Sequence, residues 1–150
     1  MKYAGLNPND MSAAPGVSVS FFTQGCPHHC KGCHNPETWD FDGGKEFTWD
    51  TMNEILDSIT ANGITRSLAI MGGEPLCEHN AFLTLLVCKT VKEKIPKAPI
   101  YLWSGYTYEH LKHTGDPHVR GVLEIADYLI DGPYVQELRD VTLPMRGSSN

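Results

Sequence analysis

The chain has 150 residues, 41% hydrophobic and 20% charged, with a formal net charge of −6. That length reads as one domain over residues 1–150, able to hide roughly 70% of its unfolded surface. The acidic balance argues against a broad nucleic-acid footprint, no apolar run approaches a membrane span, and "MKYAGLNPND" lacks the apolar core of a signal peptide.

In chain order, "VSVSFFT" (17–23) is β-branched and aromatic and reads as a strand that runs into a cysteine-rich loop. "TWDTMNEILDSITANG" reads as a helix. Thr48 caps it, Asp50 sits in the first turn, and Gly63 lies just past the end. Met52, Ile55, Leu56 and Ile59 form its buried stripe. "SLAIM" (67–71) is a short apolar strand that breaks at Gly72-Gly73. "AFLTLLVCKTVKEK" reads as a second helix, with Phe82, Leu85 and Leu86 on the apolar stripe and a basic last turn. "IYLW" (100–103) is a third strand, followed by a turn at Ser104-Gly105. Residues 107–125 read as helical, broken near Gly115 and Pro117. "DYLI" (127–130) is a fourth strand, ended by Asp131-Gly132-Pro133. The tail "VTLPMRGSSN" reads as polar and weakly structured. Continuous apolar strands separated by helices predict an α/β fold, a parallel sheet covered by helices.

Ligands of such sheets collect at the carboxyl ends of the strands. The unusual residues of this chain fall there: the cysteine loop, "GGEP" (72–75), "SGY" (104–106) and "DGP" (131–133).

Five cysteines in a chain read as cytoplasmic point to metal or catalysis rather than to disulfides. Cys26, Cys30 and Cys33 lie close enough in sequence to wrap one inorganic cluster, and thiolates are the usual ligands of iron–sulfur clusters. A four-iron cluster takes four ligands, and this loop supplies three. One iron would stay open to a small molecule, as in a catalytic metal site. A zinc site of Cys26, Cys30, Cys33 and His34 is the structural rival. Zinc sites usually join two separated ligand pairs, and no second pair is present, which favours the cluster.

"CPHHCKGC" has the CxxxCxxC form of the radical S-adenosylmethionine (SAM) enzymes. "CHNPETW" is similar to the loop shared by glycyl-radical activating enzymes, and "GGEP" resembles their SAM amino-group motif. With "LWSGYTYEHL", "LIDGPYVQELRD" and "RGSSN", the whole chain resembles the activating proteins of anaerobic ribonucleoside-triphosphate reductase. The resemblance implies an incomplete (β/α) barrel of the radical SAM type, since so few strands cannot close the eight-strand form of about 250 residues. An open doubly wound sheet is the runner-up. It implies a [4Fe–4S] cluster on Cys26, Cys30 and Cys33, with SAM on the open iron. Reductive cleavage of SAM would give a 5′-deoxyadenosyl radical that takes a hydrogen atom from a glycine Cα of the reductase. A low-potential carrier such as flavodoxin would supply the electron. Activation of another glycyl-radical enzyme, such as pyruvate formate-lyase, is the near alternative; a zinc-stabilised interaction module is the distant one.

The same resemblance implies roles for single residues, each beside a plainer one. Gly72 and Gly73 would let the backbone approach the SAM ammonium group, or simply end a strand. A side chain at Gly73 is expected to displace SAM and leave the cluster. Glu74 would support the amino group or shape the loop, or is simply a surface charge. Ser104 is a turn residue that by analogy reaches the SAM ribose or carboxylate. Asp131 is a turn acid, or holds the ribose or a cation. Gly32 and His34 flank Cys33 and would line the adenine side; Gly32 stands where many relatives carry an aromatic. Cys77 and Cys88 read as packed thiols, Trp39 and Trp49 as core or loop anchors, and no histidine is assigned to catalysis. The partner would dock over the loops at Asn35–Trp39, Ser104–Tyr106 and Asp131–Tyr134, with Tyr106 and Tyr134 as anchors.

Overall fold

The computed structural model describes residues 1–33 and 36–138. Its strands are β1 (Lys2–Asp10), β2 (Ser18–Thr23), β3 (Lys45–Glu46), β4 (Ser67–Gly72), β5 (Ile100–Trp103) and β6 (Tyr128–Ile130). Its α-helices are α1 (Trp49–Ile59), α2 (Ala81–Lys94), α3 (Tyr108–Lys112) and α4 (Pro117–Ile125). The strands form one open six-stranded sheet in the order β3-β1-β2-β4-β5-β6.

The four apolar runs became β2, β4, β5 and β6, and neighbours among them pair in parallel. Their order follows the chain and never reverses. A doubly wound sheet reverses at a switch point, so this winding goes one way, and the sheet is not closed.

The expectation of parallel strands alone is corrected at the other edge. β1 pairs antiparallel with both β2 and β3, so the sheet is mixed. Residues 11–17 are too few for the crossover of a dozen or more residues that a parallel neighbour needs. β1 was not legible as a strand because it is mostly solvated: only Tyr3 is buried, and Gly5 and Pro8 interrupt its pattern.

Parity along the strands sets the core. Val19, Phe21, Leu68, Ile70, Ile100 and Leu102 join the main apolar cluster with Met52, Ile55 and Ile59 of α1, Val87 and Val91 of α2, and Val119 and Val122 of α4. Ser18, Ser20, Ala69 and Tyr101, on the opposite parity, are buried too. Burial on both faces is why these strands read as unbroken runs.

The helix signals held for α1. The Thr48 hydroxyl accepts from Thr51 N–H at 3.4 Å, while Thr48 N–H donates to the Thr51 hydroxyl at 3.2 Å, a reciprocal cap. Beyond its end, Arg66 donates to the carbonyls of Ser58 (3.1 Å) and Ala61 (2.8 Å). The stripe proposed for α2 is corrected. Phe82 is exposed and Leu85 and Leu86 are half-buried, while Ala81, Leu83, Thr84, Val87, Cys88 and Val91 are buried. Apolar residues occur nearly all round this helix, because it also packs on α4. Asp116 caps α4 by accepting from His118 N–H at 2.8 Å, with Pro117 in the first turn. Trp49, expected as an anchor, is 66% exposed. Among the described residues no helix is long and apolar enough to cross a membrane. The tail "VTLPMRGSSN" lies outside the described residues.

Candidate functional site

The pairing of β2 with β4 ends at Thr23 and Gly72, and the two loops that follow stay bonded to each other. Gly73 N–H donates to the Thr23 carbonyl at 2.9 Å, and Glu74 N–H donates to the Gly25 carbonyl at 2.9 Å. The buried Asn80 amide donates to the carbonyls of Gly25 (3.1 Å) and Glu74 (3.0 Å). The cysteine loop and GGEP are therefore one hydrogen-bonded unit.

Both glycines of GGEP are required by this contact. Gly72 has φ +103°, and a Cβ there would lie 2.6 Å from Thr23 N. A Cβ on Gly73 would overlap the Gly25 carbonyl oxygen and stand 2.9 Å from its carbon. Gly73 thus permits close approach of backbone to backbone, directly before Cys26.

The cysteine loop is closed at its base. Gly25 N–H donates to the Thr38 carbonyl at 2.7 Å, and Cys26 N–H to the Trp39 carbonyl at 3.3 Å. The Trp39 ring stacks on His29, centroids 4.5 Å apart. Gln24 donates to the carbonyls of Glu37 (3.2 Å) and Asp40 (2.7 Å). Cys33 N–H closes a turn on the Cys30 carbonyl at 3.1 Å. Cys26 is buried, and Cys30 and Cys33 are half-buried. Burial pushes the Cys26 thiol up. Three soft thiols on one loop are the donor set of an iron–sulfur cluster. Among the described residues no group of three or more His, Cys, Asp or Glu side chains is gathered to hold a metal ion.

Glu74 is fully buried and binds with both oxygens. Oε1 lies 2.7 Å from His28 Nε2 and accepts from Gly105 N–H at 2.6 Å. Oε2 accepts from Leu76 N–H and from the Ser104 hydroxyl, each at 2.9 Å. Glu74 is thereby a loop-shaping residue, not a surface charge. Ser104 is buried, and its hydroxyl also accepts from Tyr106 N–H at 3.1 Å, which makes it the turn residue of its plainer reading. Asp131 accepts from Tyr108 N–H at 2.7 Å, at the start of α3. Gly32 has φ +77°, and a Cβ there would overlap the Gln136 side-chain oxygen, which accepts from the Tyr134 hydroxyl at 2.8 Å. His34, the remaining candidate, and Asn35 lie outside the described residues.

The bonds run across all four strand-end loops. Glu74 joins the cysteine loop, GGEP and SGY, and Gly132 N–H donates to the Tyr106 carbonyl at 2.9 Å, adding DGP. The Tyr106 ring packs edge-on to His28 at 4.5 Å and stacks on His110 at 4.9 Å. Burial, and then the nearby Glu74 charge, pushes its phenol up. A cavity of about 520 Å³ opens beside the cysteine loop, lined by Pro27, Phe41, Cys77, Glu78, His79 and Tyr106. Burial raises the Cys77 thiol to about 11.

Sequence reasoning missed His28. Its position between Cys26 and Cys30 was visible, but its partner is far away in the chain. It also missed Asn80, whose role depends on backbone carbonyls that no side-chain pattern reveals.

Comparison with known proteins bears on the cysteine loop. The family described as "4Fe-4S single cluster domain" matches residues 13–150. The chain is 34% identical over its full length to the anaerobic ribonucleoside-triphosphate reductase-activating protein of Vibrio cholerae, covering 95% of that protein. It is 35% identical to the protein of the same name from Pasteurella multocida, covering 94% of it, and 32% identical to that of Escherichia coli, covering 96%. Each match spans 100% of the present chain.

Proposed function

The chain belongs to the family of anaerobic ribonucleoside-triphosphate reductase-activating proteins, and from that premise we propose that it is the activase of such a reductase. It reductively cleaves SAM at a [4Fe–4S] cluster and installs a glycyl radical on the reductase. The observation that carries this reading is the union of two loops: Glu74 N–H on the Gly25 carbonyl fixes GGEP against the residue before Cys26.

Cys26, Cys30 and Cys33 would hold the cluster, which would supply the electron for cleavage of SAM into methionine and an adenosyl group able to take a hydrogen atom from a glycine Cα of the reductase, giving 5′-deoxyadenosine. The chain's own residues bind, orient and exclude water. The GGEP backbone at Gly72 and Gly73 receives the amino-acid end of SAM. Glu74 has both oxygens engaged by the loops, so it supports that backbone instead of touching the ligand. Gly32 and His34 border the adenine side, and the loops carrying Ser104 and Asp131 border the ribose. The one-way sheet is an arc of a (β/α) barrel of the radical SAM type, open on the side that admits the partner. The electron comes from a low-potential donor such as flavodoxin, in the cytoplasm.

The test is anaerobic reconstitution with iron and sulfide, reduction, and addition of SAM with anaerobic ribonucleotide reductase or, separately, pyruvate formate-lyase. A glycyl doublet in the electron paramagnetic resonance spectrum of the first mixture alone is expected. A doublet in the second alone overturns the choice of partner. Tight zinc binding with no iron uptake overturns the chemistry.

A further inference from the structure

Glu74 is a buried acid whose bonding partners come from three loops. Leu76 N–H belongs to its own loop; the Ser104 hydroxyl and Gly105 N–H belong to the loop after β5. Its partner from the cysteine loop is the His28 ring, at 2.7 Å. His28 stands between Cys26 and Cys30, so any change in its position is passed along the chain to two of the three thiols. The ring is held on two further sides. Tyr106 meets it edge-on at 4.5 Å, and the missing side chain of Gly105 leaves it room. A Cβ on Gly105 would lie 2.6 Å from His28 Cδ2 and 2.7 Å from Nε2.

We propose that His28 is a positioning residue of the reaction, a strut from Glu74 that sets the cysteine loop against the GGEP and SGY loops. It rests on the functional reading above, and refines it. The Gly25 contacts fix the root of the cysteine loop, while His28 fixes its crown, where Cys30 lies. The strut orders the loop that carries the three thiols, and it sets how the loaded cluster faces SAM. His28 touches neither in this role; its bond to Glu74 does the work.

The experiment uses four reconstituted full-length variants: His28→Ala, His28→Gln, Gly105→Ala, and His28→Ala with Gly105→Ala. Iron per chain, SAM affinity per loaded cluster, and the SAM-induced change in the spectrum of the reduced cluster are measured. His28→Ala is expected to weaken SAM binding about five- to tenfold per loaded cluster and to alter that spectral change, in line with the loss of one buried hydrogen bond. His28→Gln keeps an amide donor and should recover affinity to within roughly twofold of the parent. Gly105→Ala should imitate His28→Ala, and the double variant should be no worse than His28→Ala alone. Parent affinity and parent spectrum in His28→Ala overturn the proposal. So does a Gly105→Ala defect that adds fully to that of His28→Ala. If His28→Ala holds no iron, His28→Gln decides: recovery supports the strut, and an equal loss overturns it. A parent that takes up no iron overturns the functional reading itself, and the inference with it.

Discussion

Gly73 stands against the backbone of Gly25, so a methyl there collides with a carbonyl and not with a flexible side chain. Backbone has nowhere cheap to go, and the next residue in that loop is Cys26, a proposed cluster ligand. Gly73→Ala is therefore expected to reduce both iron retention and SAM affinity, where the motif alone pointed to SAM affinity alone. Iron per chain and a SAM titration on the same sample check this; full iron with SAM lost would restore the motif's simpler meaning. The thiols divide along similar lines. Alanine at Cys26, Cys30 or Cys33 should each abolish cluster assembly, counted as iron after reconstitution. Alanine at Cys77 or Cys88 should not, since both are buried, with thiols raised to about 11 and about 12 by burial. Cys88→Ser should cost about 1–3 kcal/mol in denaturant unfolding, because a hydroxyl enters a fully buried position. The thiols and GGEP were legible because their spacing is local. A loop-shaping role was one reading of Glu74, but its partners were not legible, since His28, Ser104 and Gly105 meet it only in the folded sheet.

At the level of elements, periodicity served where one face alone is buried and failed where burial surrounds the helix. Of the four residues read as the stripe of α1, Met52, Ile55 and Ile59 are fully buried, and Leu56 is half-buried against the same core. On α2 the apolar residues divide between the core and α4, so a single stripe was the wrong template. β1 escaped notice for the opposite reason: it is too solvated to carry a strand pattern. The junction between α2 and the far strands rests on polar contacts. Lys92 donates to the Ala98 carbonyl and pairs with Asp127, both at 2.8 Å, and Asp127 accepts from Ile100 N–H at 2.8 Å. Burial opposes the charge on Asp127, but Lys92 and the Ile100 N–H outweigh it and hold its carboxyl below the usual 3.8. A depressed carboxyl stabilises the fold above its unfolded value and loses that contribution as pH falls through its folded value. Asp127→Asn should therefore cost about 0.5–1 kcal/mol at neutral pH, a small figure because the pair is partly solvated. The gap between parent and variant should close below the folded value. Urea unfolding across that range checks it; a gap that persists in acid would assign the effect to packing.

On the scale of the whole molecule, a one-way parallel sheet puts the start of each returning helix at the carboxyl ends of the strands. Three of the large exposed apolar residues lie in these first turns: Trp49 of α1 at 66%, Phe82 of α2 at 51% and Tyr108 of α3 at 45%. They border the same end of the sheet as the cysteine loop, GGEP and SGY. Tyr106, expected as a partner anchor, is half-buried and packs between His28 and His110, and these rim residues are further candidates. A radical formed in an open site, as proposed above, must be shielded from water and stray hydrogen donors, and the reductase is the partner proposed to cover it. Alanine at Trp49, Phe82 or Tyr108 should weaken capture of the reductase by about 1–2 kcal/mol each, as buried aromatics at interfaces do. SAM cleavage by the free chain should stay at the parent rate, since the bond from Tyr108 to the strand-end loops, its N–H to Asp131, is a backbone bond that alanine keeps. Adding reductase to the parent should speed SAM cleavage at least tenfold, ~1.4 kcal/mol of barrier, and should slow hydrogen exchange in residues 27–33 and 104–106. Binding isotherms, 5′-deoxyadenosine release and exchange mass spectrometry measure the three effects. Unchanged binding in all three variants would move the docking face elsewhere, and a free-chain cleavage rate equal to that of the complex would remove the need for a covering partner.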